Sequence, residues 1–216
     1  MCDFLTFGSL CEIVYDLATT MAANADSLTQ LDTAIGDGDH GRNMAAGFGR
    51  VREDLLVMPP TTPGVLLRTI GMTMVATVGG ASGPLYGAAF TAAGISAGSK
   101  MNLSLTDIAD MIQAAAEALA RRGRCRVGDK TILDALAPAA EALNVAASEN
   151  RDLLYGLRAA ARAAANGMAD ATPLVAKRGL AMQYGAASAG KQDPGATSCY
   201  LMFESMVRTL ERLCLD

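Results

Sequence analysis

Small and apolar residues recur at helical spacing along almost the whole chain, and this periodicity restricts the fold more than any other feature of the sequence. Leu10, Val14, Leu17 and Met21 form one stripe. Met44, Phe48, Val51 and Leu55 form a second, which stops at the turn "MPPTTPG". Thr62 and Pro63 have the chemistry of a cap and a first position for a third helix, lined by Leu67, Ile70, Met74 and Val78. "PLYGAAFTAAGISAG" is small or apolar on nearly every side, so it reads as a buried fourth helix. Leu105, Ile108, Ile112, Ala115 and Leu119 line a fifth. A sixth starts near Lys130 and carries Leu133, Leu136, Ala140 and Leu143, with Pro138 inside it to kink it or shift its start. Leu153, Leu157, Ala161, Ala164 and Met168 mark a seventh, and Phe203, Met206, Leu210 and Leu213 an eighth. Residues 171–193 are the one long connection with no helical pattern, and loops of that length in a compact domain are usually functional or mobile.

Composition agrees with this reading. Apolar residues make up 51% of the chain, yet aromatics are only 5% and Trp is absent. Much of the apolar content is alanine, the best helix former, whose small side chain lets helices approach closely. The prediction is an all-α fold: one domain over residues 1–216 with about eight helices, mostly antiparallel where short loops connect neighbours. The net charge of −4 offers no basic stripe to meet a nucleic acid. No run approaches the ~18 apolar residues of a membrane span. "MCDFLTFGSL" carries an early acid and no basic segment, unlike a secretion signal, so a cytoplasmic location is expected. Cys2, Cys11, Cys125, Cys199 and Cys214 are scattered and odd in number, which predicts free thiols in a reducing compartment.

The chemistry concentrates in "LDTAIGDGDHGRN", residues 31–43. Asp32, Asp37 and Asp39 repel one another at neutral pH, while hard divalent cations want such carboxylate oxygens on a flexible backbone. Mg²⁺ usually takes one or two carboxylates plus waters and substrate phosphates, so three point to a pair of ions bridging polyphosphate oxygens. An EF-hand does not fit: with Asp37 as position 1, Gly41 falls at position 5 and Phe48 at position 12, where a bidentate Glu is needed. An Asx-rich loop and helix cap is the alternative.

Other loops carry complementary signals. "GGASG" at 79–83 can turn backbone N–H groups and the Ser82 hydroxyl toward an anion at a helix start, or be a simple Gly-rich turn. In "VGDKT" Asp129 can cap the sixth helix, while Lys130 or Thr131 can face a ligand; Lys130 is otherwise a solvated surface residue. "QDPGATS" makes Asp193 and Pro194 a cap and first-turn pair, with Gly195 beside exposed N–H groups. "GAASAGKQ" imitates a Walker loop through Gly185, Gly190 and Lys191, but Gln192 stands at the magnesium-binding position and no strand precedes it. His40, the only histidine, either contacts a phosphate, carries a proton or is held by Asp39. In an up-and-down barrel the loops after helices one, three, five and seven share one rim. These are the acidic, "GGASG", "RRGRCRVGDK" and "GKQDPG" loops, so metal and nucleotide ligands would meet there.

"IGDGDHGRNM", "GGASGPLYG", "GDKTILDAL" and "QDPGATS" together resemble the L subunit of dihydroxyacetone kinase, in order and over essentially the whole chain. The resemblance implies an eight-helix barrel with nucleotide at one end, and two Mg²⁺ on Asp32, Asp37 and Asp39. It implies nucleotide contacts from His40, Gly41, Asn43, Ala81, Ser82, Gly123, Asp193 and Gly195; Thr131 joins them as the candidate contact read from its own loop, and no residue of the chain reads as a catalytic nucleophile. It further implies a K-type partner that holds dihydroxyacetone through a histidine. ADP would stay bound as cofactor, recharged to ATP by an M-type phosphocarrier fed by phosphoenolpyruvate. Self-association as a homodimer stays open. The chain departs from the family pattern where "KRGLAMQYGAAS" replaces a stretch with two arginines: Leu180 and Ala187 stand in their places, with Arg178 or Lys177 able to compensate. The alternatives are a non-catalytic nucleotide-binding subunit, or a component of an ATP-dependent kinase for another short ketose.

Overall fold

The structure, a computed structural model, describes residues 4–57 and 59–215. Its α-helices are α1 (Phe7–Ala23), α2 (Ala25–Ile35), α3 (His40–Val57), α4 (Pro63–Thr77), α5 (Ser82–Ala97), α6 (Leu105–Gly123), α7 (Leu133–Ser148), α8 (Leu153–Ala171) and α9 (Pro194–Leu215). Helices α1 and α3 to α9 stand side by side in chain order, and α9 packs back on α1 to close the ring. The predicted apolar stripes form its filling, with Met21, Phe48, Ile70, Met74, Leu119, Leu143 and Leu157 essentially inaccessible. Among the described residues no helix is long and apolar enough to cross a membrane. Cys11, Cys125 and Cys199 are free thiols as expected, whereas Cys214 is disulfide-bonded and Cys2 lies outside the described residues.

Three features differ from the sequence reading. The first is α2, which has no counterpart among the eight expected helices. Only Leu28, Asp32 and Ile35 are buried along it, so its apolar stripe is too thin to register. It continues from α1 after a break at Asn24, and places Asp32 on a helical turn instead of in a loop. The second is α5, which is a wall of the ring and not a helix buried all round: Ile95 is 66% exposed. Its small residues serve contact with α4. A side chain at Gly71 would strike Thr91, and one at Gly87 would strike Val75. The third is a 3₁₀ stretch, Leu180–Ser188, inside the connection expected to lack helix. Pro138 sits within α7, whose first residue is Leu133, and Gly167 of α8 packs against the Asp134 carbonyl one turn before the proline.

The two ends of the ring are built differently. Helices α1, α4, α6 and α8 start at one end, where β1 (Leu5–Thr6) pairs antiparallel with β2 (Asn102–Leu103). Each has a side-chain cap: Thr6, Thr62, Ser104 with Asp107 in a capping box, and Asp152. Helices α3, α5, α7 and α9 start at the other end, and there neither α5 nor α7 receives a side-chain cap from its N-cap residue.

Candidate functional site

The second end opens on a cavity of about 510 Å³, lined by residues of five segments: the acidic stretch with Asp32, Asp37, Asp39 and His40, the Gly79–Ser82 loop and the following turn of α5, the Arg122–Ile132 region through Gly123, Cys125 and Thr131, Arg178 to Ala181, and Asp193 to Gly195. The four loops expected to share a rim therefore do. The N-termini of α3, α5, α7 and α9 meet at this end, and helix N-termini carry partial positive charge.

One wall is acidic. Asp32 is buried, and its Oδ2 accepts from the N–H groups of Asp39 at 2.8 Å and His40 at 3.0 Å, which caps α3. An oxygen from each of Asp32, Asp37 and Asp39 lies within 4.8 Å of the others. Glycine is required between them: a Cβ on Gly36 would collide with the Asp32 carboxylate, and Gly38 takes φ +73°. Asp39 is pushed above its ordinary value by burial and by the charges of Asp37 and Asp32, against a hydrogen bond from Asn43. Among the described residues none of the three forms an ion pair with lysine or arginine. Crowded, unneutralised hard oxygens of this kind suit a Mg²⁺-type cation.

His40 is not held by the Asp39 side chain. Its Nδ1 lies 3.1 Å from Ser82 Oγ and its Nε2 2.9 Å from Ser198 Oγ, which in turn lies 2.7 Å from the Tyr86 hydroxyl. Both ring nitrogens are thus engaged between α5 and α9. Burial pulls the imidazole down to about 4, so it is neutral at physiological pH.

Ala81, Ser82, Gly123, Thr131, Asp193 and Gly195 all border the cavity. Gly41 and Asn43 do not. Gly41 is buried against Ala25 and Thr29, where any side chain would separate α2 from α3, and Asn43 sits beside Asp39 and Gly79. Asp193 behaves as read, its Oδ2 accepting from Ala196 N–H at 2.7 Å at the start of α9. Burial, with Asp134 adding and Lys130 opposing, pushes its carboxyl up to about 7. Asp129 does not cap α7. It accepts from Arg126 N–H, while Asp134 folds the loop by accepting from Gly128 and Thr131 N–H groups. Lys130 neither faces solvent nor offers its ammonium to a ligand, because it is 1% exposed and bonded to carbonyls of the chain. Leu180 borders the cavity and Ala187 is an exposed residue away from it.

One guanidinium-bearing residue on the rim, Arg122, escaped the sequence reading of roles, and a second, Arg178, was read only as a stand-in. Arg122 borders the cavity in the segment read only as a polar loop. Arg178, a possible substitute for the missing arginine, borders it too; its Nε donates to the Arg124 carbonyl at 2.7 Å and lies 3.5 Å from Asp129 Oδ2. The four basic residues of "RRGRCR" were the available signal.

The DAK2 domain model matches residues 34–208. The chain is 36% identical over 185 residues to the ADP-binding subunit of the PEP-dependent dihydroxyacetone kinase of Escherichia coli strain K12, covering 86% of this chain and 88% of that protein. The chain belongs to the dihydroxyacetone kinase L-subunit family. The ADP-binding subunit of PEP-dependent dihydroxyacetone kinase 2 from Listeria innocua serovar 6a is 34% identical, covering 97% of this chain and 96% of that one. Among solved structures, the dihydroxyacetone kinase from C. freundii in complex with AMP-PNP and Mg²⁺ superposes with a TM-score of 0.70 at 26% identity, covering 94% of this chain. The family member described here spans 33% of that kinase chain.

Proposed function

We propose that this chain, as one nucleotide-binding helical domain over residues 1–216, is the phosphoryl-donor subunit of a multi-subunit dihydroxyacetone kinase. The observation that carries the reading is a single arrangement: three unneutralised carboxylates share one cavity with the start of α5, which has no side-chain cap, and the start of α7. A Mg²⁺-bound polyphosphate has the charge pattern that satisfies both walls at once. Asp32, Asp37 and Asp39 would hold two Mg²⁺, which supply charge neutralisation for the phosphate oxygens.

The protein's own residues do the rest by positioning. The starts of α5 and α7, with Ala81, Ser82 and Thr131, present N–H and hydroxyl groups to ADP or ATP, and Gly123, Asp193 and Gly195 shape the walls. Neutral His40 holds Ser82 in place instead of transferring a proton. Gly41 supports α2 against α3, and Asn43 orients Asp39. Arg122 and Arg178 border the cavity and would offer positive charge to the phosphoryl group in transfer. No residue of the cavity is arranged as a nucleophile, so the acceptor hydroxyl and its base belong to a K-type, ketose-holding partner. Phosphoenolpyruvate, through an M-type phosphocarrier, recharges bound ADP in the cytoplasm.

The test is calorimetric titration of ADP with Mg²⁺, with EDTA and into Asp37→Asn. Binding that vanishes with EDTA and weakens at least tenfold in the variant is expected; equal affinity in all three refutes the reading. One observation favours a second version: the residue at position 180, which borders the cavity beside Arg178, is leucine and not arginine. A weakened donor site suits a regulatory nucleotide-binding subunit or a kinase component for another ketose that exchanges ATP freely. Phosphate transfer from phosphoenolpyruvate in the mixture with K- and M-type partners separates these, since only the donor subunit supports it.

A further inference from the structure

Lys130 is the one lysine of the rim whose charge is fully enclosed. Its Nζ donates to the carbonyl oxygens of Ala171 at 3.3 Å, Thr172 at 2.6 Å and Leu174 at 3.1 Å. An ammonium has three N–H donors, so none remains for a phosphate. The Ala171 and Thr172 carbonyls, which also accept from the Leu174 and Gly190 N–H groups, lie at the C-terminal end of α8, where a cation meets the negative end of the helix, and Leu174 follows in the next turn of chain. The residue takes φ +60°, a left-handed conformation that disfavours side chains with a Cβ and is retained when surroundings enforce it. Burial pulls the ammonium below its usual value, against the charges of Asp193 and Asp134.

Around it, two rim segments are sewn together. Lys177 N–H donates to the Asp129 carbonyl at 3.0 Å, and Lys177 Nζ to the Gly128 carbonyl at 3.0 Å. Asp134 holds Gly128 and Thr131 from below. The first segment brings Thr131 and Ile132, at the start of α7, to the cavity, and the second brings Arg178 and Leu180.

We infer that Lys130 is a positioning residue of the rim cavity: its ammonium locks the 124–132 loop to the end of α8 and so presets both segments for nucleotide. The inference rests on the nucleotide reading above. The locked state binds, and by reciprocity nucleotide strengthens the lock. Lys130→Met keeps most of the stem and removes the charge. Lys130→Gly removes the left-handed strain together with the ammonium. Lys130→Arg keeps a cation with donors.

The wild-type chain is titrated first with ADP and Mg²⁺. Absence of binding there sinks the nucleotide reading, and the lock is then judged on backbone hydrogen exchange alone. Loss of affinity on the order of 10- to 100-fold is expected for Lys130→Met and Lys130→Gly, as for other residues that support a binding group, with partial rescue by Lys130→Arg. Exchange should rise in 124–132 and 171–178 and stay unchanged in α1 and α4. Affinity within twofold of wild type in Lys130→Gly, or unchanged protection of 171–178, overturns the inference. Should the variants not fold, exchange in the wild-type chain decides: ADP with Mg²⁺ must protect the amides of Leu174 and Ala176, which lie outside the cavity lining, and no added protection overturns it.

Discussion

The two ends of the ring share helix count and small-residue packing but solve the problem of helix termini in opposite ways. At the β1–β2 end, each starting helix satisfies its orphan N–H groups with a side chain from within three residues: Thr6, Thr62, Ser104 and Asp152. At the cavity end the start of α5 receives no side-chain cap, α7 has only Thr131 Oγ1 accepting from the Leu133 N–H at 3.2 Å, and the cap of α3 comes from Asp32, which also belongs to the acidic wall. One end is finished for stability. The other is left open at α5 and builds the cap of α3 from a residue of the acidic wall, and this difference supports the proposal that nucleotide binds there.

The contrast can be broken experimentally, and the largest effect expected is linkage. At a hundredfold excess over its Kd, ADP with Mg²⁺ should stabilise the chain by about 2.7 kcal/mol, and EDTA should abolish this gain. A chemical denaturation series with and without EDTA measures it. Next comes Asp32→Ala, which removes a donor of the acidic wall and the α3 cap together. It should lose Mg²⁺-dependent nucleotide binding and cost about 1–2 kcal/mol of stability in the absence of ligand. Its counterpart at the closed end, Ser104→Ala, should cost about 1 kcal/mol and leave nucleotide affinity unchanged. Equal effects of the two variants on affinity would erase the distinction between the ends.

The smallest effect is pH dependence without ligand. His40 has its value lowered from 6.5 to about 4, so its contribution is complete above pH 6.5 and is lost as pH falls toward 4. Asp193 has its value raised from 3.8 to about 7, so its contribution is present below 3.8 and is lost as pH rises through 7. The two slopes oppose each other between these limits. Asp193→Asn should therefore expose the His40 slope, with stability decreasing as pH drops from 6.5 to 4, read from urea midpoints. The single histidine makes the companion check simple: its imidazole NMR resonance should titrate near 4, and a midpoint near 6.5 would mean the ring is not enclosed.

Period and capping chemistry operate within about four residues, so they can be read along the chain. The all-α class, the stripes through Phe48 and Leu143, the caps at Thr62 and Asp193 and the carboxylate chemistry of Asp32, Asp37 and Asp39 were legible for that reason. Helix α2 was not, because its burial depends on α3 and α9 and leaves only a thin stripe of its own. Lys130 looked like a solvated residue or a ligand contact, since nothing near it in the chain announces carbonyl acceptors more than forty residues away. His40 likewise found its partners at Ser82 and Ser198, and Gly41 proved to be a packing position against α2. The sequence alone determined which elements form and which chemistry the loops hold, because those follow from local geometry and residue type. Only the tertiary structure decided which charges are enclosed, which helix ends stay open and which loops are tied together. Burial and hydrogen-bond partnership are properties of segments that meet only after folding.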